Sequence, residues 1–329
     1  MKFNYVLPRK FRPEVYQGKK RPDRYFEGWY FKFVDADGAQ IWSVIPGVSF
    51  SADSHSFVQV IDAKSGTSSY FRYPLEAFGY SRREWMIEVG ANRFTGSGVS
   101  LELLSGELAL QGRLKLSGTH RFPVSLISPG IMGWYGYVPF MECYHGVVSM
   151  QHQLSGRLNI NGTEVDFGGG KGYIEKDWGR SMPSDWIWIQ SNHFSGDRQA
   201  SFMISLARIP WLRGFFPGFL CFLLADGKLY RFATYNRSRV ERLEVSDEAV
   251  SISILNRFYR LEVNATLKEG VVLKAPRHGI MERDIRESMM AGVRVDLKNR
   301  SGELIFSGRG DHAGLEIVGE VEQYFRNNS

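Results

Sequence analysis

A chain of 329 residues with 43% hydrophobic and 23% charged content is built to bury a sizeable core, as two domains or one large β architecture. Its net charge of +6 comes without blocks of Lys or Arg, which excludes nucleic-acid binding as a leading class and leaves open weak attraction to an anionic membrane surface. Two distant cysteines, Cys143 and Cys221, exclude a disulfide framework and fit no metal-ligand spacing, and Cys221 inside Phe219–Leu224 reads as a buried thiol.

Aromatic content of 14% and 35 glycines lean towards antiparallel β-structure. Met1–Val6 lacks the apolar stretch of a secretory signal, and no apolar run approaches the ~20 residues that cross a bilayer, so the chain reads as cytoplasmic. Two hairpins come first: Tyr25–Val34 turns through Asp35–Gly38 into Gln40–Ile45, and Ser56–Ile61 turns through Asp62–Gly66 into Ser69–Tyr73. Strands follow at Trp85–Val89, Arg93–Phe94, Val99–Leu104 and Glu107–Leu116. Ile127–Met141 is apolar, aromatic and too rich in Gly and Pro for a regular strand, so a loop is expected there, either covering the core or forming a lid or mouth in contact with a membrane.

Tyr144–Leu154, Gly156–Ile160 and Thr163–Phe167 are the next strands, and Gly172–Phe194 then packs three carboxylates, three tryptophans, an amide pair and a histidine into 23 residues. Beyond it come strands at Ala200–Arg208, Gly218–Leu224, Lys228–Thr234, Val240–Val245, Ala249–Asn256, Arg260–Leu267, Ala291–Lys298 and Glu303–Gly308. Ile209–Phe219 reads as a second apolar loop, either covering the core or forming a mouth with peripheral membrane contact. Glu282–Met290 offers one or two turns of helix, and convincing helices are otherwise scarce. Tyr25-x-Glu27 and Tyr173-x-Glu175 begin the two halves alike, which suggests two similar β-domains, 1–160 and 161–329, with a boundary near Asn161-Gly162. Each sheet is expected to close into a barrel or curl, which disposes of its edge strands.

Chemistry is narrowed first by absences. The seven histidines form no His-x-x-x-His pair, Gly168–Gly172 lacks P-loop spacing, and no Gly-x-Ser-x-Gly elbow occurs, so neither metal nor cofactor is expected. Carboxylates beside aromatics are the positive signal. On an extended Gly172–Trp178, Tyr173, Glu175 and Asp177 share one face, while Ile174, Lys176 and Trp178 share the other. On Trp186–Phe194 the faces are Trp186, Trp188, Gln190, Asn192 and Phe194 against Ile187, Ile189, Ser191 and His193. A carboxyl walled by apolar rings keeps its proton towards neutrality, and indole faces stabilise a developing carbocation. Together they suit protonation of an alkene. Taken singly, Glu175 and Asp177 read first as partners for Lys176, Arg180 or another strand. Trp186 and Trp188 suit a core equally well, His193 reads as a structural histidine, and Glu27 beside Trp29 carries the same two readings.

Tyr25–Lys32, Pro46-Gly47 and above all Gly172–Asn192 resemble the tocopherol cyclase family, with weaker likeness at Ala291–Leu297 and Ala313–Ile317. The paired Asp-Trp-Gly and Trp-x-Trp elements are more distantly similar to the carotenoid hydratase group, which implies two lipocalin-like β-domains with few short helices. The resemblance implies closure of a prenylated hydroquinone to a chromanol without cofactor or metal: an acid protonates the alkene, and the phenolic oxygen captures the cation. It makes Asp177 the first expected proton donor and Glu175 the second. Trp178, Trp186 and Trp188 would line the cavity with Glu27 and Trp29, and Gln190, Asn192 and His193 would orient the polar head group. The alternatives are a non-catalytic carrier of a hydrophobic isoprenoid or lipid, and a hydratase of an isoprenoid double bond. The expected partner is in each case a hydrophobic small molecule.

Overall fold

The computed structural model describes residues 7–18, 23–81, 83–195 and 199–325; Met1–Val6, read above for a leader, lies outside them. The protein is all-β, with strands assembled into two large antiparallel sheets of twelve and eleven strands. Each hydrogen-bonded path ends on edge strands, so neither sheet closes into a barrel. Among the described residues, helix is confined to short turns, of which Gly133–Tyr137 inside the expected 127–141 loop is one. No helix among the described residues is long and apolar enough to cross a membrane.

Two compact units divide the chain: Met1–Met182 with Lys274–Arg283, and Pro183–Leu273 with Asp284–Ser329. The division falls after Met182, whereas the sequence suggested 160/161. The reason is the Lys171–Gly179 strand, which fills the middle of the first sheet. It pairs with Tyr25–Val34 on one side and Cys143–Ile160 on the other, joining two meanders that run outwards to Thr67–Tyr73 and Phe78–Tyr80. The Tyr25-x-Glu27 and Tyr173-x-Glu175 repeat therefore marks two adjacent strands of one sheet, with Glu27 opposite Trp178 and Tyr30 opposite Glu175. The returning segment 274–283 is tied to the same unit, where Gln59 donates to the Lys274 carbonyl at 2.8 Å and accepts from the Lys274 amide at 2.9 Å.

The expected break at Ser155-Gly156 is absent, because Cys143–Ile160 is one strand of 18 residues. Gly156 carries it through with φ +113, where a Cβ would stand 2.3 Å from the Arg113 carbonyl oxygen. Glu282–Met290 is strand, within Ile280–Asn299, because Glu287 and Ser288 pair with Glu316 and Leu315 and cross-strand bonds replace local helical ones. Residues 209–219 form a hairpin, not a loop: Ala200–Trp211 pairs with Gly214–Ala225, Pro210 opposite Phe215 and Pro217 opposite Arg208. Both prolines fit because the ribbon is two-stranded there; the outer neighbours pair only up to Ala207 and from Leu220 onwards.

Each unit has its own core. Trp29, Phe31, Phe33, Val44, Val60 and Ile174 anchor the first; Ile187, Ile189, Phe202, Ile204, Leu223 and Val295 anchor the second. Gly179, the glycine of the Asp-Trp-Gly motif, ends the central strand at φ +151, and a Cβ there would meet the Glu142 carbonyl oxygen at 2.2 Å. Gly179→Ala is expected to cost about 2–3 kcal/mol of stability, read as a lower urea midpoint at unchanged slope. An unshifted midpoint would show that the strand end relaxes freely.

Candidate active site

The central strand of the first sheet alternates as its sequence requires. Tyr173, Glu175 and Asp177 stand on one face; Ile174, Lys176 and Trp178 on the other. The register then adds a residue that no local motif reveals: His145, on the Cys143–Ile160 strand, lies directly opposite Asp177. Its Nδ1 donates to Asp177 Oδ1 at 2.7 Å, and its Nε2 sits 3.5 Å from Glu175 Oε2. Tyr173 donates its phenolic hydrogen to the same Glu175 oxygen at 2.7 Å. The chain Asp177–His145–Glu175–Tyr173 is thus assembled from two neighbouring strands.

The electrostatics follow from burial and from the shared charge. Burial pushes the His145 imidazole down, but the carboxylates of Asp177 and Glu175 outweigh it and hold the imidazole well above its ordinary value. His145 is therefore an imidazolium between two acidic groups. Burial, then the charge of Glu175, holds the Tyr173 phenol well above its ordinary range, so it remains a donor. Burial and then Asp177 push the Cys143 thiol up as well, which keeps it a neutral SH and not a nucleophile. Asp177 is the more open carboxylate, its side chain 23% exposed against 6% for Glu175. By register Tyr30 stands opposite Glu175 and Phe26 opposite Gly179, which places two aromatic residues on this face.

Among the described residues, His145, Glu175 and Asp177 form the one group of metal-type donors, with the ligating atoms all within 4.8 Å. His145 Nδ1 and Asp177 Oδ1 already lie at hydrogen-bonding distance, 2.7 Å, so a cation held through Nδ1 would have to break that contact.

Glu27, Trp29 and Trp178 lie on the opposite face of the sheet from Asp177, and so do not line a cavity with it. Glu27 is wholly buried and ion-paired with Lys176; it also accepts hydrogen bonds from Tyr25 at 2.5 Å and from the amides of Gln17 and Gly18. Trp29 donates to the Glu14 carbonyl at 2.8 Å, and Trp178 stacks on Tyr144 with centroids 5.6 Å apart. Lys176 Nζ lies 4.5 Å from the Trp29 ring and 4.9 Å from the Trp178 ring, and donates to the carbonyls of Pro13 and Val15. These residues strap the segment 13–18 onto the sheet.

The remaining expected residues belong to the second unit. Trp186 and Trp188 are buried, and Trp186 Nε1 donates to Glu316 Oε2 at 2.5 Å. The Trp188 ring rests on Gly314, where a Cβ would come within 2.6 Å. Gln190 and Asn192 are also buried, and the His193 ring meets His312 edge-on at 5.5 Å. The strand breaks at Asn192, so Phe194 does not join the tryptophan face; it packs in the core against Phe306.

Comparison with known proteins adds a family to this geometry. A model described as tocopherol cyclase-like matches residues 123–319, which takes in His145 and the whole Gly172–Phe194 segment. The probable chloroplastic tocopherol cyclase of Oryza sativa subsp. japonica is 26% identical over 208 residues, and the chloroplastic tocopherol cyclase of Zea mays 25% over 201 residues. Each match takes in 57% of this chain but only 42% and 41% of those proteins' length. In fold the chain resembles CghA, solved with Sch210972, at TM-score 0.53 and 13% identity over 90% of this chain and 89% of that one. It also resembles kievitone hydratase from Nectria haematococca, at TM-score 0.51 and 8% identity over 94% and 95% of the two chains. The fold is lipocalin-like in that sense.

Proposed function

This chain belongs to the tocopherol cyclase-like family, and we propose that it is an acid-catalysed cyclase, an intramolecular lyase that closes a prenylated hydroquinone or a related isoprenoid-tailed aromatic to a chromanol. The observation that carries this reading is an accessible carboxyl, Asp177, hydrogen-bonded to an imidazolium that a second carboxylate holds from behind. Asp177 gives its proton to the trisubstituted double bond nearest the ring, whose π pair forms the new C–H bond and leaves a tertiary cation. The phenolic oxygen attacks that cation, and its proton returns to the Asp177 carboxylate. Product and substrate are isomers.

His145 is the positioning residue. Across its 2.7 Å bond it can charge Asp177 with a proton, leaving a neutral imidazole that Glu175 and Tyr173 keep oriented. The faces of Phe26 and Tyr30 suit the developing cation.

The test is mass-resolved chromatography after incubating the protein with a phytylated methylhydroquinone under reducing conditions. An isomer of unchanged mass, absent from boiled controls, is expected. Unchanged substrate retained by the protein would replace the cyclase with a carrier, and a product heavier by one water with a hydratase.

A pH dependence goes with this assignment. The folded pKa of His145 is raised above the ordinary ~6.5, so its charge contributes stability that is complete below that value and is lost as pH rises through the folded value. Turnover is expected to fall over the same alkaline limb, as the proton shared by His145 and Asp177 is lost to solvent. His145→Gln is expected to flatten both profiles, and a variant with the wild-type alkaline limb in each would remove His145 from the relay.

A further inference from the structure

We propose that the segment from Arg121 to Met141, with the turn carrying Lys10 packed on it, is a docking surface for an anionic lipid bilayer. The segment contains no acidic residue. Its tip is the turn Ser125–Ser128, closed by paired backbone bonds of 2.8 and 3.0 Å, and it holds Leu126 and Ile127 in solvent at 83% and 81% exposure. Trp134 and Phe140 are exposed on the same segment. The display is built and not slack: the Tyr137 hydroxyl donates to the Leu126 carbonyl, Ser128 Oγ donates to the Gly130 carbonyl at 2.9 Å, and Trp134 stacks on Tyr135 at 4.0 Å. Hydrogen bonds thus hold large apolar side chains outwards, against the cost of wetting them, and a folding role alone gives no reason for that.

Charge selects the occupant. Lys10 Nζ lies 4.7 Å over the Tyr137 ring, so a cation is seated on the aromatic part of the patch. Arg9 and Arg121 are also exposed. Aliphatic tips that enter the acyl boundary, Trp and Tyr at headgroup depth, and Lys and Arg beside anionic phosphates form the composition of an interfacial membrane site. Docking is measured without substrate, so it stands or falls apart from the cyclase assignment. The hairpin tip of the second unit exposes Leu212 as fully, at 81%, and supplies a comparison position in the other apolar segment for which the sequence suggested membrane contact.

The full chain is sedimented with phosphatidylcholine vesicles with and without phosphatidylserine. Binding is expected only with phosphatidylserine present, with Trp quenching by brominated acyl chains that Trp134→Phe reduces. Leu126→Ser/Ile127→Ser is expected to weaken binding about ten-fold, and Lys10→Glu about five-fold with a shallower salt dependence. Leu212→Ser is expected to bind as wild type. These side chains are exposed, so the variants should keep the wild-type melting temperature. The proposal is overturned if the wild type ignores phosphatidylserine vesicles, if the double serine variant binds undiminished, or if Leu212→Ser alone abolishes binding. A wild-type dimer in light scattering that the double serine variant converts to a monomer would also overturn it, by assigning the patch to a second copy.

Discussion

Asp177→Asn is expected to lower turnover by about 10²–10⁴-fold while substrate affinity stays near wild type. The amide keeps the size of the side chain and can still accept the hydrogen bond from His145 Nδ1, so the imidazole remains in place. What it lacks is an acidic proton for the alkene and a base for the phenol. Glu175→Gln touches the reaction only through His145 and is expected to cost less, with its effect concentrated in the pH profile. Binding is read from retained substrate in equilibrium dialysis, and turnover from the isomer peak. Undiminished turnover in Asp177→Asn would remove Asp177 as the acid, whatever the product proves to be. Equal loss of binding and turnover would make Asp177 a recognition group instead.

Lys176→Met is expected to lower stability by about 3–5 kcal/mol, the largest structural effect we predict. The ammonium is wholly buried, and its removal leaves the Glu27 carboxylate in the core with, among the described residues, Tyr25 and two backbone amides as partners. Burial pushes the Lys176 amine down to about 8, against the attraction of Glu27, so desolvation outweighs the ion pair. The pair as a whole is therefore a poor source of net stability, and Lys176→Met/Glu27→Leu is expected to lose less than Lys176→Met alone. Protection of the Gln17 and Gly18 amides from hydrogen exchange should fall with the single variant, because those amides donate to Glu27. A single variant as stable as wild type, with both amides still protected, would show that the strap holds without the charge.

These two predictions concern neighbouring residues of one strand with opposite fates. Lys176 and Asp177 are adjacent in sequence, yet one is sealed against Trp29 and Trp178 and the other opens on the face of His145. The sequence suffices for that separation, since consecutive residues of a strand point to opposite sides. It did not suffice for Glu27 and Trp29. Their aromatic and acidic character suggested a substrate wall, but the pairing of Tyr25–Val34 with Lys171–Gly179 puts them behind the sheet with Lys176. His145 shows the converse. It stood among seven histidines with no diagnostic neighbour, and its partners lie 32 residues away and nearer, on a different strand. The prolines of 209–219 suggested a loop for a similar reason, because a two-stranded ribbon that tolerates them is visible only once its edges are known.

By itself, then, the sequence determined the all-β class, most of the strands and the facing of side chains wherever a strand runs unbroken. These are consequences of period-two geometry and turn chemistry, which act over a few residues. Tertiary structure alone decided that the strand at 171–179 completes the first unit, that His145 meets Asp177 and Glu175, and that Glu27 meets Lys176. Such meetings are set by strand order and register, which depend on closing loops over tens to hundreds of residues and burying a shared core, and no local pattern encodes them.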